Sequence, residues 1–258
     1  MVKVAFDAGH GKDTYPPSKG VPEMAEYEFN AAAVSYAVEY AERNGIDVVL
    51  TQGLNHNDVS LNNRTQKAFS KNVELIISFH ADANPDSSAR GHWVFYWHNH
   101  SPSKELAETW DKIAKEFLPI PRRGPRASEP GTWSNFHMTR EPAQRGIPAI
   151  LVEHGFMTNP QDLKYLKSEE YRALCGMVAV MAVCEYMGLP FTKGGPEEMG
   201  KIFPDVPDDK WYTDDVNKAA ELGIVKGYES DGTFRPEESI SRAELAVVLM
   251  RLYEKVKG

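Results

Sequence analysis

Three short apolar runs are spaced along the chain, and each runs into a histidine or a glutamate. Val2 to Phe6 leads into Asp7-Ala8-Gly9-His10-Gly11, Val73 to Phe79 into His80-Ala81-Asp82, and Pro148 to Val152 into Glu153-His154-Gly155. Apolar strands without polar alternation suit a sheet covered on both faces. Between them the period lengthens to that of a helix. Phe29, Ala32, Ala33, Tyr36, Ala37, Tyr40 and Ala41 predict a helix opened at Glu26 and closed by Asn44-Gly45. Ile46 to Thr51 reads as a second strand, and Ser60 as the cap of a helix through Ser70. Gly91 to Trp97 is an aromatic strand, and Leu106, Trp110, Ile113, Ala114 and Phe117 share one face of a helix from Pro102 to Phe117. Asn159 with Pro160 starts a further helix, and Glu169 to Met187 is a long apolar one. Leu118 to Pro130, rich in Pro and Arg, predicts an irregular exposed loop, and Asn135 to Thr139 a short strand. Strands alternating with helices give an α/β fold, a mostly parallel or mixed sheet flanked by helices.

The alternation stops near Leu189. Pro, Gly and Lys over 190–202 predict a linker between a first domain, 1–189, and a small, mainly helical C-terminal module, 203–258. The module's helices are expected over Thr213 to Leu222 and Ser241 to Lys255, with a turn-rich loop from Gly227 to Pro236 between them.

Charge and composition narrow the partners. A net charge of −8 over 258 residues argues against a nucleic-acid binder, which needs a basic footprint. No apolar run is long enough to insert into a bilayer; Met177 to Met187 is short and contains Glu185. The first residues are already strand rather than a basic start with an apolar segment, so the expectation is synthesis in the cytoplasm without an export signal. Cys175 and Cys184 sit on one helical stretch, roughly 13 Å apart along its axis, too far for a disulfide or a shared metal. Both read as buried thiols.

Parallel strands bring His10, His80 and Glu153 to the same edge of the sheet, the edge where α/β proteins bind ligands. Two histidines and a carboxylate form a common catalytic zinc set, with the fourth position left to water. A carboxylate ligand close to His10 would come from Glu23, Glu26 or Glu28.

From Met1 to about Leu189 the chain resembles the zinc-dependent N-acetylmuramoyl-L-alanine amidases that include bacterial autolysins and phage endolysins. The resemblance is carried by Asp7-Ala8-Gly9-His10-Gly11, Glu26-Tyr27-Glu28-Phe29-Asn30, Ser78-Phe79-His80-Ala81-Asp82 and the run from Pro148 to Asn159, with Arg64 in the helix before the second histidine. Ala8 stands where the family often has proline, and Asp82 where it often has asparagine. The resemblance implies His10, Glu26 and His80 as ligands of one Zn2+ per chain, and Glu153 as the catalytic glutamate. The implied reaction is hydrolysis of the amide joining N-acetylmuramic acid to the L-alanine of the peptidoglycan stem, acting on the cell wall after release. A phage endolysin is the leading setting. A host autolysin or sporulation amidase shares the chemistry, and a non-catalytic wall-binding or S-layer-associated protein on an amidase scaffold is the alternative from another class. His137 and Arg140 are further candidates for the substrate cleft, as is the segment from Pro119 to Trp133 with Arg122, Arg123 and Arg126.

The tail resembles one S-layer homology module. The matching pieces are Phe203-Pro204-Asp205-Val206, Trp211, Gly223 to Tyr228, Asp231 to Pro236 and Ile240-Ser241-Arg242-Ala243-Glu244. This implies binding to a secondary cell-wall polymer, with Asp205, Trp211 and Arg242 as candidate contacts. Such modules usually come in threes, so a single one implies weak binding alone or self-association of chains.

Overall fold

The computed structural model describes residues 2–192, 203–207, 210–228 and 231–257. The expected linker lies outside the described residues from 193 to 202. The chain divides into two compact units, Met1–Lys193 and Gly194–Gly258.

The first unit contains β1 (Lys3–Ala8), β2 (Gly20–Val21), β3 (Met24–Ala25), α1 (Glu26–Arg43), β4 (Asp47–Leu50), α2 (Leu61–Ser70), β5 (Leu75–Asp82) and β6 (His92–Trp97). It continues through α3 (Ser101–Phe117), β7 (Arg122–Ser128), α4 (His137–Ala143), β8 (Ala149–Phe156), α5 (Pro160–Leu166) and α6 (Glu169–Met187). Among the described residues the main sheet has the strand order β4-β1-β5-β8-β6-β7. β4, β1, β5 and β8 run parallel, β6 is antiparallel to β8, and β7 is parallel to β6.

Strand parity divides the core into two layers. Val4 and Phe6 of β1, Ile77 and Phe79 of β5, and Ile150 and Val152 of β8 point into a large core formed with α1, α3 and α6. Ala5, Ile76 and Ala149 point the other way and meet Ala68 of α2 and Met138 of α4. The runs Val4–Phe6, Leu75–Ile77 and Ala149–Val152 are apolar without alternation because both faces of these strands are covered. The coverage is unequal, since α2 and α4 are only 10 and 7 residues long. They leave the C-terminal ends of β1, β5 and β8 open on their side.

Two predicted elements are corrected. The segment expected as a loop, 118–130, contains edge strand β7, which pairs with β6 through a bulge at Arg123. Pro125 is tolerated because an edge strand needs to satisfy only one neighbour. The segment expected as a strand, 135–139, opens helix α4 instead, with Phe136 in the N-cap position. Five residues with an apolar residue at every second or third position fit either period. The loop after His10 also holds a small hairpin of β2 and β3 that was not predicted. Both cysteines are buried and unpaired, as expected.

In the second unit α7 spans Thr213–Glu221 and α8 spans Arg242–Lys257. No helix among the described residues is long and apolar enough to cross a membrane.

Candidate metal centre and active site

The site begins with a strained turn. His10 has φ 61, in the left-handed region, which a residue with a side chain rarely occupies. Side-chain amides on both sides hold that backbone. Gln52 Nε2 donates to the carbonyls of Ala8 (2.5 Å) and His10 (2.7 Å), and Asn30 Nδ2 donates to that of Gly9 (2.8 Å). Below the turn, Asp7 is fully buried and accepts hydrogen bonds from Ser78 (2.5 Å), Thr51 and the Arg64 guanidinium (3.2 Å). Burial alone would raise the Asp7 carboxyl, but Arg64 and the two hydroxyls hold it below the usual range. Arg64 also binds Asp58 at 2.5 Å and the Ala8 carbonyl at 3.2 Å, so α2 grips the end of β1.

Glu26 arrives from the first position of α1, where the helix dipole favours an acid. Its Oε2 lies 3.3 Å from His10 Nε2, and its Oε1 lies 2.9 Å from His80 Nδ1. Asn30 Nδ2 and the Ala81 amide also donate to Oε1, each at 3.3 Å. The three ligand atoms lie within 4.8 Å of one another. Burial pushes the Glu26 carboxyl up, but its hydrogen bond to His80 and the nearby imidazoles bring it down to about 2. Burial holds His10 down to about 4, so its imidazole is neutral near pH 7 and keeps a lone pair for a metal. Gly9 forms part of the cradle, since a Cβ there would lie 2.2 Å from the His80 ring. Two imidazole nitrogens and a buried carboxylate converging in this way suit a divalent transition ion. The other carboxylates left open by the sequence lie elsewhere. Glu28 is exposed and accepts from the Ala25 amide at 3.3 Å, and Glu23 is exposed.

Glu153 is the cross-strand neighbour of His80, on the same face of the sheet. It is buried, and its Oε2 has no hydrogen-bond partner. Burial, with the charges of Asp82 and Glu26 beside it, pushes its carboxyl well above the usual range. His154, one residue on, points to the opposite face. Its Nδ1 lies 3.1 Å from the His80 carbonyl, and its ring stacks on Phe79 with centroids 5.3 Å apart. Burial holds it down to about 3, so it is a neutral core histidine.

A cleft of about 470 Å³ is lined by His10, Glu26, His80, Asp82, His137 and Glu153, among others. His137 reaches it from the start of α4, with Nε2 3.2 Å from Thr65 Oγ1. Arg140 does not line it; its guanidinium binds Asn135 at 2.6 Å and Glu141 at 3.1 Å. Asp82 was not singled out from the sequence as a cleft residue. It accepts from Trp93 Nε1 at 3.2 Å, and its position directly after His80-Ala81 was the available signal.

The candidate wall-polymer residues of the second unit have separate local settings. Asp205 accepts from the backbone amides of Phe234 (2.8 Å) and Arg235 (2.7 Å), so it organises a loop. It also lines a shallow concavity of about 440 Å³ with Tyr212 and Arg235. Trp211 is 89% exposed. Arg242 is exposed at the start of α8. Glu244 does not pair with it; its carboxylate accepts from the Ser241 amide at 2.8 Å, capping the helix.

Comparison with known proteins places the two units of the chain among known domains. Residues 202–246 match the S-layer homology domain. The probable cell wall amidase LytH of Staphylococcus aureus is 27% identical over 172 residues, 66% of this chain and 53% of LytH. The chain thus spans about half the length of that relative. The catalytic domain of CwlV, an N-acetylmuramoyl-L-alanine amidase from Bacillus (Paenibacillus) polymyxa var. colistinus, superposes with a TM-score of 0.65 at 25% identity, covering 74% of this chain and 100% of that one. An N-acetylmuramoyl-L-alanine amidase from Clostridium difficile 630 gives 0.63 at 25% identity over 75% and 99%. Since residues 4–184, most of the chain, match the N-acetylmuramoyl-L-alanine amidase family, the chain belongs to that family.

Proposed function

We propose that the protein is a zinc-dependent N-acetylmuramoyl-L-alanine amidase, hydrolysing the amide between N-acetylmuramic acid and the L-alanine of the peptidoglycan stem. The observation that carries the reading is the convergence of His10, Glu26 and His80 within 4.8 Å, in a cleft shared with Glu153. Zinc bound by these three residues supplies a water acidic enough to ionise near neutral pH and a Lewis acid for the amide carbonyl.

The chain's own residues do the rest. Glu153 accepts a proton at its unpartnered oxygen and returns it to the departing amine of L-alanine. The Ala81 amide and Asn30 keep Glu26 oriented toward the histidines.

The C-terminal module would tether the enzyme to a secondary polymer of the cell wall, its place of action. Its similarity to the S-layer homology domain supports that role. The exposed Val247, Leu249, Met250 and Leu252 of α8 support self-association of the single module, which sedimentation of the full chain tests. Phage endolysin, host autolysin and sporulation amidase all act on the same bond and fit this reading alike. The deciding assay digests purified walls. New N-terminal L-alanine without new reducing sugar is expected. Binding to walls with no new amine would instead favour a non-catalytic wall protein.

A further inference from the structure

On the same sheet face as Glu153, the register runs outward across β6 to the edge strand. Trp93 is the cross-strand partner of Glu153, Phe95 that of Leu151, and Arg126 that of Phe95. The bulge in β7 adds Arg123 to the same side. Its guanidinium carbon lies 4.4 Å from the Trp93 ring centroid and 5.1 Å from that of Phe156. That of Arg126 lies 5.4 Å from Trp93 and 5.1 Å from Trp133. Trp133 rests against Trp93, Phe95 and Phe136 with centroids 5.7 to 6.0 Å apart, yet is 61% exposed.

The two arginines differ from their neighbours. Arg90 pairs with Asp162 and Arg122 with Asp111, while Arg123 and Arg126 make no ion pair among the described residues. Both are exposed. Their planes are fixed against aromatic rings, which lowers the entropy lost when a guanidinium forks onto a carboxylate. The patch is continuous with the cleft, because Phe136 and Leu151 line the cleft and also pack against its aromatic residues.

We propose that Arg123 and Arg126, set on Trp93 and Trp133, form a subsite for the acidic stem peptide beyond L-alanine, binding its free carboxylate. This rests on the amidase reading and extends it to which stems are preferred. Two guanidiniums without an ion pair among the described residues, Arg123 donating only to the Arg90 carbonyl at 3.3 Å, stand beside a cleft whose titratable lining is otherwise Lys19, three acids and three histidines; they are complementary to an anionic peptide, and a bidentate contact selects carboxylate over amide.

The test uses the full chain and two pairs of probes. One pair is stem tetrapeptides lacking the sugar, with the second residue's carboxyl either free or amidated. The other is the corresponding soluble muropeptides. Calorimetry reads peptide binding, and release of amine reads hydrolysis. For the wild type, tighter binding and lower KM are expected for the free acid. The Arg123→Gln/Arg126→Gln variant should lose about tenfold in affinity and raise KM for the free acid, with kcat and the amidated probe little changed. Arg123→Lys/Arg126→Lys should restore only part of the preference, since an ammonium neither stacks nor forks. Equal binding of both peptides by the wild type, or an unchanged preference in the glutamine variant, would overturn the subsite. Peptide binding lost in the variant, but with no hydrolysis of any muropeptide by the wild type, would retain the subsite and reject the amidase reading.

Discussion

Glu153 and Gly9 show how much depends on single atoms at this site. Glu153 has one buried oxygen without a partner, beside a three-residue ligand set that does not include it. Glu153→Gln keeps the shape and removes the titrating group. Bound zinc, measured by elemental analysis, should be unchanged, while amide hydrolysis should fall by about 10²- to 10⁴-fold, the usual share of general acid–base catalysis. His80→Ala, in contrast, should lose the zinc itself. Gly9→Ala tests the cradle. The added methyl would lie 2.2 Å from the His80 ring, so the imidazole must swing away from Glu26. Weaker zinc binding with only a modest change in melting temperature is expected, read by chelator competition.

At the scale of elements, the turn carrying His10 depends on α2. Arg64 is 2% exposed and joins Asp7 and Ala8 of β1 to Asp58 and Val59 ahead of the helix. Arg64→Ala would leave Asp7 buried with only two hydroxyl donors. The expected loss of stability is about 3–5 kcal/mol, as for removing one partner of a buried ion pair, and urea unfolding measures it. Replacing Asp7 by Asn in the Arg64→Ala background should recover part of that loss, because an amide carries no charge to strand. Unchanged stability in the single variant would show that the clamp does not support the turn.

For the molecule as a whole, pH is the informative variable. His92 and His154 lie buried between the sheet and the layer of α1, α3 and α6, and both pack against Trp110. Burial holds them down to about 4 and about 3. Folded values below the ordinary 6.5 mean that the unfolded chain takes up protons first. Their contribution is therefore complete above about pH 6.5 and is lost as pH falls toward 4, at about 1.4 kcal/mol per pH unit for each histidine. Urea midpoints of the metal-free protein measured from pH 7 to 5 should fall steadily, with His10, likewise held down by burial, adding to the same slope. A profile that is flat over this range would contradict the buried, neutral state of both rings.

The apolar runs before His10, His80 and Glu153 determined strand identity, parallel direction and the shared edge, because a run long enough to be buried on both faces admits few other folds. The motifs at 7–11, 26–30 and 78–82 also marked His10, Glu26 and His80, the three residues that converge. Tertiary structure decided the rest. Strand parity, invisible until the register is known, put Glu153 in the cleft and His154 in the core, one residue apart. Tertiary packing separated Glu26 from Glu28, which sit on the same helical turn but face the two histidines and solvent respectively. It turned the Pro/Arg-rich stretch after Leu118 into an edge strand, since pairing with β6 compensates a composition that local propensity reads as loop. And it placed Arg123 and Arg126 on tryptophans from two other segments, an arrangement made by a bulge and a fold rather than by any spacing along the chain.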